Sequence, residues 1–212
     1  MKKELEQKLG RRFARLATDA AVRWPWLWRP LRNLMRLQFD RLAPRWDTMR
    51  SPDHLGSFEL ALDGVAGSPA RALDLGTGTG AAAFAVARHF PEAQVTGADL
   101  SNEMLAEARR KTPPELAERV RFEQADAAVL PFGDASFELV TLANMIPFFD
   151  ELERVLAPGG WALFSFSAGP ETPIWVAPER LRAELSRRGF SDFADFQAGP
   201  GTALLARRQD GV

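Results

Sequence analysis

Three aspartates and three glycines mark where this chain could do chemistry. Gly76, Gly78 and Gly80 lie in Leu73-Asp74-Leu75-Gly76-Thr77-Gly78-Thr79-Gly80-Ala81, between a short apolar run and an alanine-rich segment. Glycines at such a turn let the backbone bend tightly and approach a ligand. Asp74 stands just before them, Asp99 closes the next apolar run 23 residues after Gly76, and Asp126 follows the run after that. Asp99 can accept two hydrogen bonds from vicinal ribose hydroxyls, and Asp126 one from an adenine amino group. The glycines also fit G-x-G-x-x-A, a dinucleotide fingerprint, so on their own they do not identify the ligand. A pyrophosphate would meet the Asp74 charge at close range. The acids therefore favour a cationic nucleoside. Each aspartate alone reads equally well as a turn residue or helix cap. Their recurrence at three successive strand ends is what singles them out.

The elements that must carry these residues follow from periodicity. Residues 71–75, 94–98, 120–123, 137–142 and 161–167 read as buried strands. Residues 81–89, 101–110, 151–156 and 178–188 read as helices, and Pro158-Gly159-Gly160 as a turn. Residues 192–197 and 202–207 form a last pair of strands around Gly199-Pro200-Gly201. Strands alternating with helices predict right-handed crossovers and a doubly wound α/β fold. Its seven-stranded sheet should be mostly parallel with an antiparallel C-terminal strand. Upstream, Leu5, Leu9, Phe13, Leu16 and Ala20 give an amphipathic helix, which Trp24–Pro30 interrupts. Leu31, Leu34, Met35, Gln38, Phe39 and Leu42 then fall on one face of a second helix. Ser51-Pro52 reads as the cap of a third, running to about Leu62.

The segments ALDLGTGTG, VTGADLSNEMLAEAR, VRFEQADAAVLPFGDASFELV and ELERVLAPGG, in this order and spacing, resemble the class I S-adenosylmethionine-dependent methyltransferases. The resemblance covers residues 70–167 and extends toward 207. It is closest to the small-molecule branch that includes ubiquinone/menaquinone-type methyltransferases. It implies a Rossmann-like domain over residues 51–212, preceded by a basic helical arm or lid over 1–50. It further implies S-adenosylmethionine as cofactor, with Asp74, Gly76, Thr77, Gly78 and Gly80 at its methionine and ribose part. Asp99 would hold the ribose hydroxyls with Leu100 on adenine, and Asp126 with Ala127 would meet the adenine amino group. Asn144 would line the methyl donor. Phe39–Asp47 resembles the segment that precedes the domain in that branch, but Trp46 stands where the branch has tyrosine.

Methyl transfer needs alignment more than acid–base work, and a base only where the acceptor must lose a proton. His54 is the candidate base, because its ordinary pKa suits proton removal near neutrality. Asn144 is a second candidate catalytic residue, through a carbonyl that could hold an amine; it reads as well as a loop-satisfying side chain. Trp46, Met145, Phe148, Phe149 and Trp175 could wall an apolar acceptor, or be ordinary core. Arg50 reads either as a partner for the cofactor carboxylate or as a solvated cation.

Composition narrows the alternatives. The absence of cysteine excludes disulfide scaffolds, thiolate metal sites and cysteine nucleophiles, and with two histidines no metal centre is expected. Residues 1–50 hold 13 Lys/Arg against 5 Asp/Glu, while the remainder holds 14 against 23. This is a basic arm on an acidic body. With Trp24, Trp26 and Trp28 among arginines, residues 1–36 suit a lid first, contact with a membrane surface second and nucleic acid third. No run is long and apolar enough for a bilayer or a signal peptide, so a cytoplasmic protein, peripheral to the membrane at most, is expected. The expected partner is a small apolar or aromatic acceptor. Two rivals are an NAD(P)-binding oxidoreductase and an inert membrane- or partner-binding module that retains the fold.

Overall fold

The glycine turn sits where the first strand hands over to a helix, at the centre of a seven-stranded sheet. The computed structural model describes Thr18 and residues 28–210. The helix expected over Leu5–Ala20 and most of the proposed membrane-contacting segment therefore lie outside the described residues. In chain order the strands are β1 (Arg71–Leu75), β2 (Gln94–Asp99), β3 (Val120–Gln124), β4 (Phe137–Ala143), β5 (Leu156–Phe166), β6 (Phe190–Ala198) and β7 (Gly201–Arg208). The helices are α1 (Trp28–Leu42), α2 (Gly56–Asp63), α3 (Ala81–His89), α4 (Asn102–Lys111), α5 (Phe149–Val155) and α6 (Pro178–Ser186). A 3₁₀ segment, Ala43–Met49, extends α1.

The spatial strand order is 3-2-1-4-5-7-6. All pairs are parallel except those of β7, which runs antiparallel to both β5 and β6. The doubly wound, mostly parallel α/β sheet is thus the expected one. Its two faces bury separate cores. Phe58 and Leu62 of α2, Phe84 and Val86 of α3 and Leu105 of α4 fill one. Trp28 of α1, Leu152 of α5 and Leu181 and Leu185 of α6 enter the other. Strand order reverses between β2-β1 and β4, so the chain leaves β1 and β4 toward helices on opposite faces, α3 and α5. Such a switch point is where open α/β sheets bind ligands.

Local chemistry explains the helix boundaries. Gly80 begins α3 with φ +88°, and Arg119 donates to the carbonyls of Ala87, Phe90 and Ala93 at its far end. Ser101 caps α4 by accepting from Met104 N at 3.1 Å. Pro30 lies within α1, so the described helix Trp28–Leu42 does not start after the proline.

Three expectations are corrected. The helix read from Ser51-Pro52 begins only at Gly56, because residues 52–55 form turns, with His54 N on Ser51 O and Gly56 N on Asp53 O. On α1, Leu34 and Gln38 face outward and Leu34 is 57% exposed; the helix rests on Trp28, Met35 and Phe39 instead. Pro158-Gly159-Gly160 lies inside β5 as a bulge, since Phe137 pairs Leu156 while Leu139 pairs Trp161. Among the described residues no helix is long and apolar enough to cross a membrane, and no acid or histidine cluster could hold a metal.

Candidate functional site

Three loops at the carboxyl ends of β1, β2 and β3 bring the acids together. Gly76, Gly78 and Gly80 all have positive φ, +66°, +54° and +88°, which L side chains rarely adopt. The turn is pinned by Thr77 N on Ala98 O at 3.0 Å and Gly80 N on Thr77 O at 2.9 Å. A side chain at Gly76 would collide with Met145, whose Sδ lies 2.6 Å from the ideal Cβ position. The turn therefore stays bare for close approach.

Asp74 is 1% exposed. Its Oδ1 accepts from Thr141 Oγ1 at 2.8 Å, while Oδ2 is buried with no hydrogen-bond partner. Burial pushes its pKa up to about 6, against the pull of the Thr77 and Thr141 hydroxyls and of Arg50. Asp99 also lies in the mouth, its pKa raised chiefly by burial and restrained by backbone N–H donors. Its Oδ2 accepts from Gly78 N at 2.9 Å and its Oδ1 from Ser101 N at 2.8 Å. A carboxylate has about four acceptor positions, so capacity for a ribose hydroxyl remains beside these backbone donors, Leu100 N–H among them.

Asp126 is more occupied than the sequence suggests. Its Oδ1 accepts from Trp28 Nε1 at 2.8 Å and Ala128 N at 3.0 Å, and its Oδ2 from Arg32 at 3.3 Å. One of about four acceptor positions remains. Trp28 also meets Phe148 edge-on at 5.2 Å, so the arm helix packs against the segment after β4.

The arm is laced to all three loops. Asp47 accepts from Thr79 Oγ1 at 2.6 Å and from Lys111. Asp40 accepts from Ser101 Oγ at 2.6 Å. These two acids were not singled out from sequence. Their signal is weak, because nothing local to Asp40 or Asp47 announces partners 61 and 32 residues away.

The remaining candidates divide. Leu100, Ala127, Met145 and Trp175 pack with the core cluster around Trp28 and Phe148. Phe149 lies deeper, against Phe164 at 6.4 Å and under the Arg188 guanidinium at 5.3 Å. Trp46 stands at the glycine turn, edge-on to Phe39 at 5.6 Å. Asn144, with φ +53°, accepts Ser167 N and Oγ at 2.9 and 3.2 Å through Oδ1, so its carbonyl ties the ends of β4 and β5. His54 Nδ1 lies 2.8 Å from Ser51 O. A carbonyl accepts only, so Nδ1 carries the proton and Nε2 keeps its lone pair. That nitrogen is buried and unpartnered.

Buried acceptors on two acids, one of them orphaned, and a bare glycine turn suit a nucleoside with a cationic, donor-rich tail. Comparison with known proteins agrees. Residues 72–160 match the family model described as methyltransferase domain. The chain is 42% identical over 137 residues to a demethylmenaquinone methyltransferase of Thermus thermophilus, covering 58% of this chain and 60% of that one. It is 36% identical over 150 residues to a malonyl-[acyl-carrier protein] O-methyltransferase of Halorhodospira halophila, covering 66% and 50%. The chain thus spans between half and about three fifths of the length of these relatives. A crystal structure of a SAM-dependent methyltransferase from Aquifex aeolicus superposes with TM-score 0.65 at 16% identity, covering 78% of this chain and 97% of that one, which supports the fold.

Proposed function

We propose that this chain, whose residues 72–160 are a class I methyltransferase domain, binds S-adenosylmethionine and methylates a small apolar or aromatic acceptor. The observation that carries the reading is the pair of buried carboxylates at the glycine turn. Asp99 accepts from backbone N–H groups and keeps acceptor capacity beyond them, and Asp74 has an oxygen with no hydrogen-bond partner. When bound, S-adenosylmethionine supplies a sulfonium-activated methyl that moves by in-line displacement.

Asp99 receives the ribose hydroxyls, Asp74 Oδ2 receives the α-ammonium, and the last acceptor position of Asp126 receives the adenine amino group. Trp28 and Arg32 cover that end as a lid, and the ties from Asp40 and Asp47 hold the lid on the loops after β1 and β2. Alignment of this kind is worth effective molarities of about 10⁵–10⁸ M, so few groups need touch the proton. Met145 and Phe148 form the apolar wall toward the acceptor. The name of the Thermus relative puts a quinol-type acceptor within the proposal, and such an acceptor loses a proton. His54 Nε2, with its lone pair fixed by the bond at Nδ1, is the base for that step.

The test is titration calorimetry with S-adenosylhomocysteine and with NAD, followed by turnover of S-adenosylmethionine on a soluble naphthoquinol. Tight binding of the homocysteine nucleoside and a product heavier by one methylene are expected. His54→Gln should lower turnover at least about tenfold while leaving nucleoside affinity alone. Binding of NAD alone would overturn the reading. Turnover unchanged in His54→Gln would remove the base.

A further inference from the structure

The crossover from β3 to β4 passes β2 and β1 as residues 125–136, with no helix among them. Parallel crossovers usually carry a helix, whose apolar stripe covers the sheet. Beside this bare connection lies a cavity of about 450 Å³, within the range of small-molecule sites. Arg71 and Gln94, the first residues of β1 and β2, line it, so it stands at the opposite end of these strands from the glycine turn.

Its floor departs from the apolar face expected of a parallel sheet. Alternation along β1–β3 puts Arg71, Gln94, Thr96 and Arg121 on the face that carries Leu73, Leu75 and Ala98 further along. Register sets Arg71 beside Gln94 and Thr96 beside Arg121. Arg121 Nε donates to the buried Thr96 Oγ1 at 3.0 Å and lies 3.4 Å from Glu123 Oε1. Its Nη1 and Nη2 make no hydrogen bond among the described residues. Arg71 is held by Glu138 through Nε at 3.3 Å and Nη2 at 2.8 Å, which leaves its Nη1 without a hydrogen bond among the described residues. Neither acid lines the cavity, so its walls carry two cations and no carboxylate. Phe132 and Phe137, edge-on at 5.2 Å, form an apolar side.

We propose that this cavity is a second ligand site, separate from the cofactor mouth, and that it takes an aromatic monocarboxylate. A guanidinium fork anchored at one edge presents its remaining N–H groups in fixed directions, which matches a planar anion. Arg121, with both Nη groups unbonded, is the main donor; Arg71 adds positive charge from across β2, and the Gln94 amide adds N–H groups. Glu123 and Glu138 offset part of the cationic charge, so a single carboxylate suits the site better than a dianion. A ring packs against the Phe132–Phe137 pair edge to face. None of these residues touches the glycine turn or its acids, so the inference stands independently of the S-adenosylmethionine reading.

Titration calorimetry of the full-length chain with biphenyl-4-carboxylate and with the neutral biphenyl-4-methanol tests the site. The acid should bind with a dissociation constant of about 1 mM or tighter, and the alcohol at least about tenfold more weakly. Arg121 is 69% exposed, so its replacement leaves the core untouched. Arg121→Met should weaken the acid about tenfold and leave the affinities for the alcohol and for S-adenosylhomocysteine unchanged. Arg121→Lys should recover part of the loss, since it restores the charge without the fork. No binding of the acid, or binding that Arg121→Met does not change, would overturn the assignment. Inorganic phosphate that displaces the acid at equal concentration would overturn the ligand class. Failure of the wild type to bind S-adenosylhomocysteine would count against the cofactor reading alone.

Discussion

Asp99→Ala should reduce affinity for S-adenosylhomocysteine by two to four orders of magnitude and leave a folded protein. The carboxylate holds the loops after β1 and β2 together, through Gly78 N and Ser101 N. Its remaining acceptor capacity is assigned to the ribose hydroxyls. Hydrogen bonds to a charged group are worth about 1.5–3 kcal/mol each. Losing two of them costs about 3–6 kcal/mol, which is about 10²–10⁴ in dissociation constant. Stability should fall far less. Burial raises the pKa of Asp99, so the native state already opposes this charge, and its removal offsets part of the two lost backbone contacts. Calorimetry gives the affinity, and a cooperative thermal melt of the variant shows that the fold persists. Affinity within threefold of wild type would mean that the nucleoside is not held at this strand end, and the functional reading would fail with it.

The glycine turn and its acids were legible because each is a local device. A strand that ends in an acid, followed by three glycines and an alanine-rich helix, leaves the backbone few options, and positive φ at Gly76, Gly78 and Gly80 is the outcome. Asp99 was legible for the same reason, since it closes its strand. The arm was not. Trp28 meets Asp126 across 98 residues, and neither side chain carries a mark of the other. Its helical face was misread for a related reason. Periodicity alone cannot tell which side of a short basic helix meets the body, and Trp28 decides that here by entering the core. The turn residues Pro158-Gly159-Gly160 did bend the chain, with Gly159 at φ +75°, but the flanking residues pair with β4 on both sides and make the bend a bulge. The approach of Trp46 Nε1 and Arg50 Nη2 to Gly78 combines both cases: Trp46 is in a recognisable segment, while that approach depends on a 3₁₀ segment that periodicity does not reveal.

Asp74→Asn should make the ligand-free protein more stable at neutral pH while weakening cofactor binding. Asp74 is buried, and its pKa of about 6 lies above the value of about 3.9 that it has in an unfolded chain. Below about pH 4 the group is protonated in both states and stability is unaffected. As pH rises from 4 through 6, the unfolded chain gives up its proton first, so native stability declines. Above pH 7 the deficit is complete, and about two pKa units correspond to about 3 kcal/mol. Asparagine removes that penalty and keeps an oxygen for Thr141 Oγ1, though its amide N–H₂ needs an acceptor, which costs part of the gain. A net stabilisation of about 1–2 kcal/mol at pH 8 is expected, vanishing near pH 4; urea unfolding at the two pH values measures it. Binding should respond in the opposite sense. The orphaned Oδ2 has no partner until an ammonium arrives, so the variant should bind S-adenosylhomocysteine about 10–100-fold more weakly at pH 8. Wild-type affinity should fall as pH drops below about 6, when the acid takes up a proton, whereas the variant should be flat over that range. A variant less stable than wild type at pH 8, yet equal to it in affinity, would assign Asp74 to the framework and take the ammonium elsewhere. The expected result makes it a residue kept at a cost in stability for the ligand it receives.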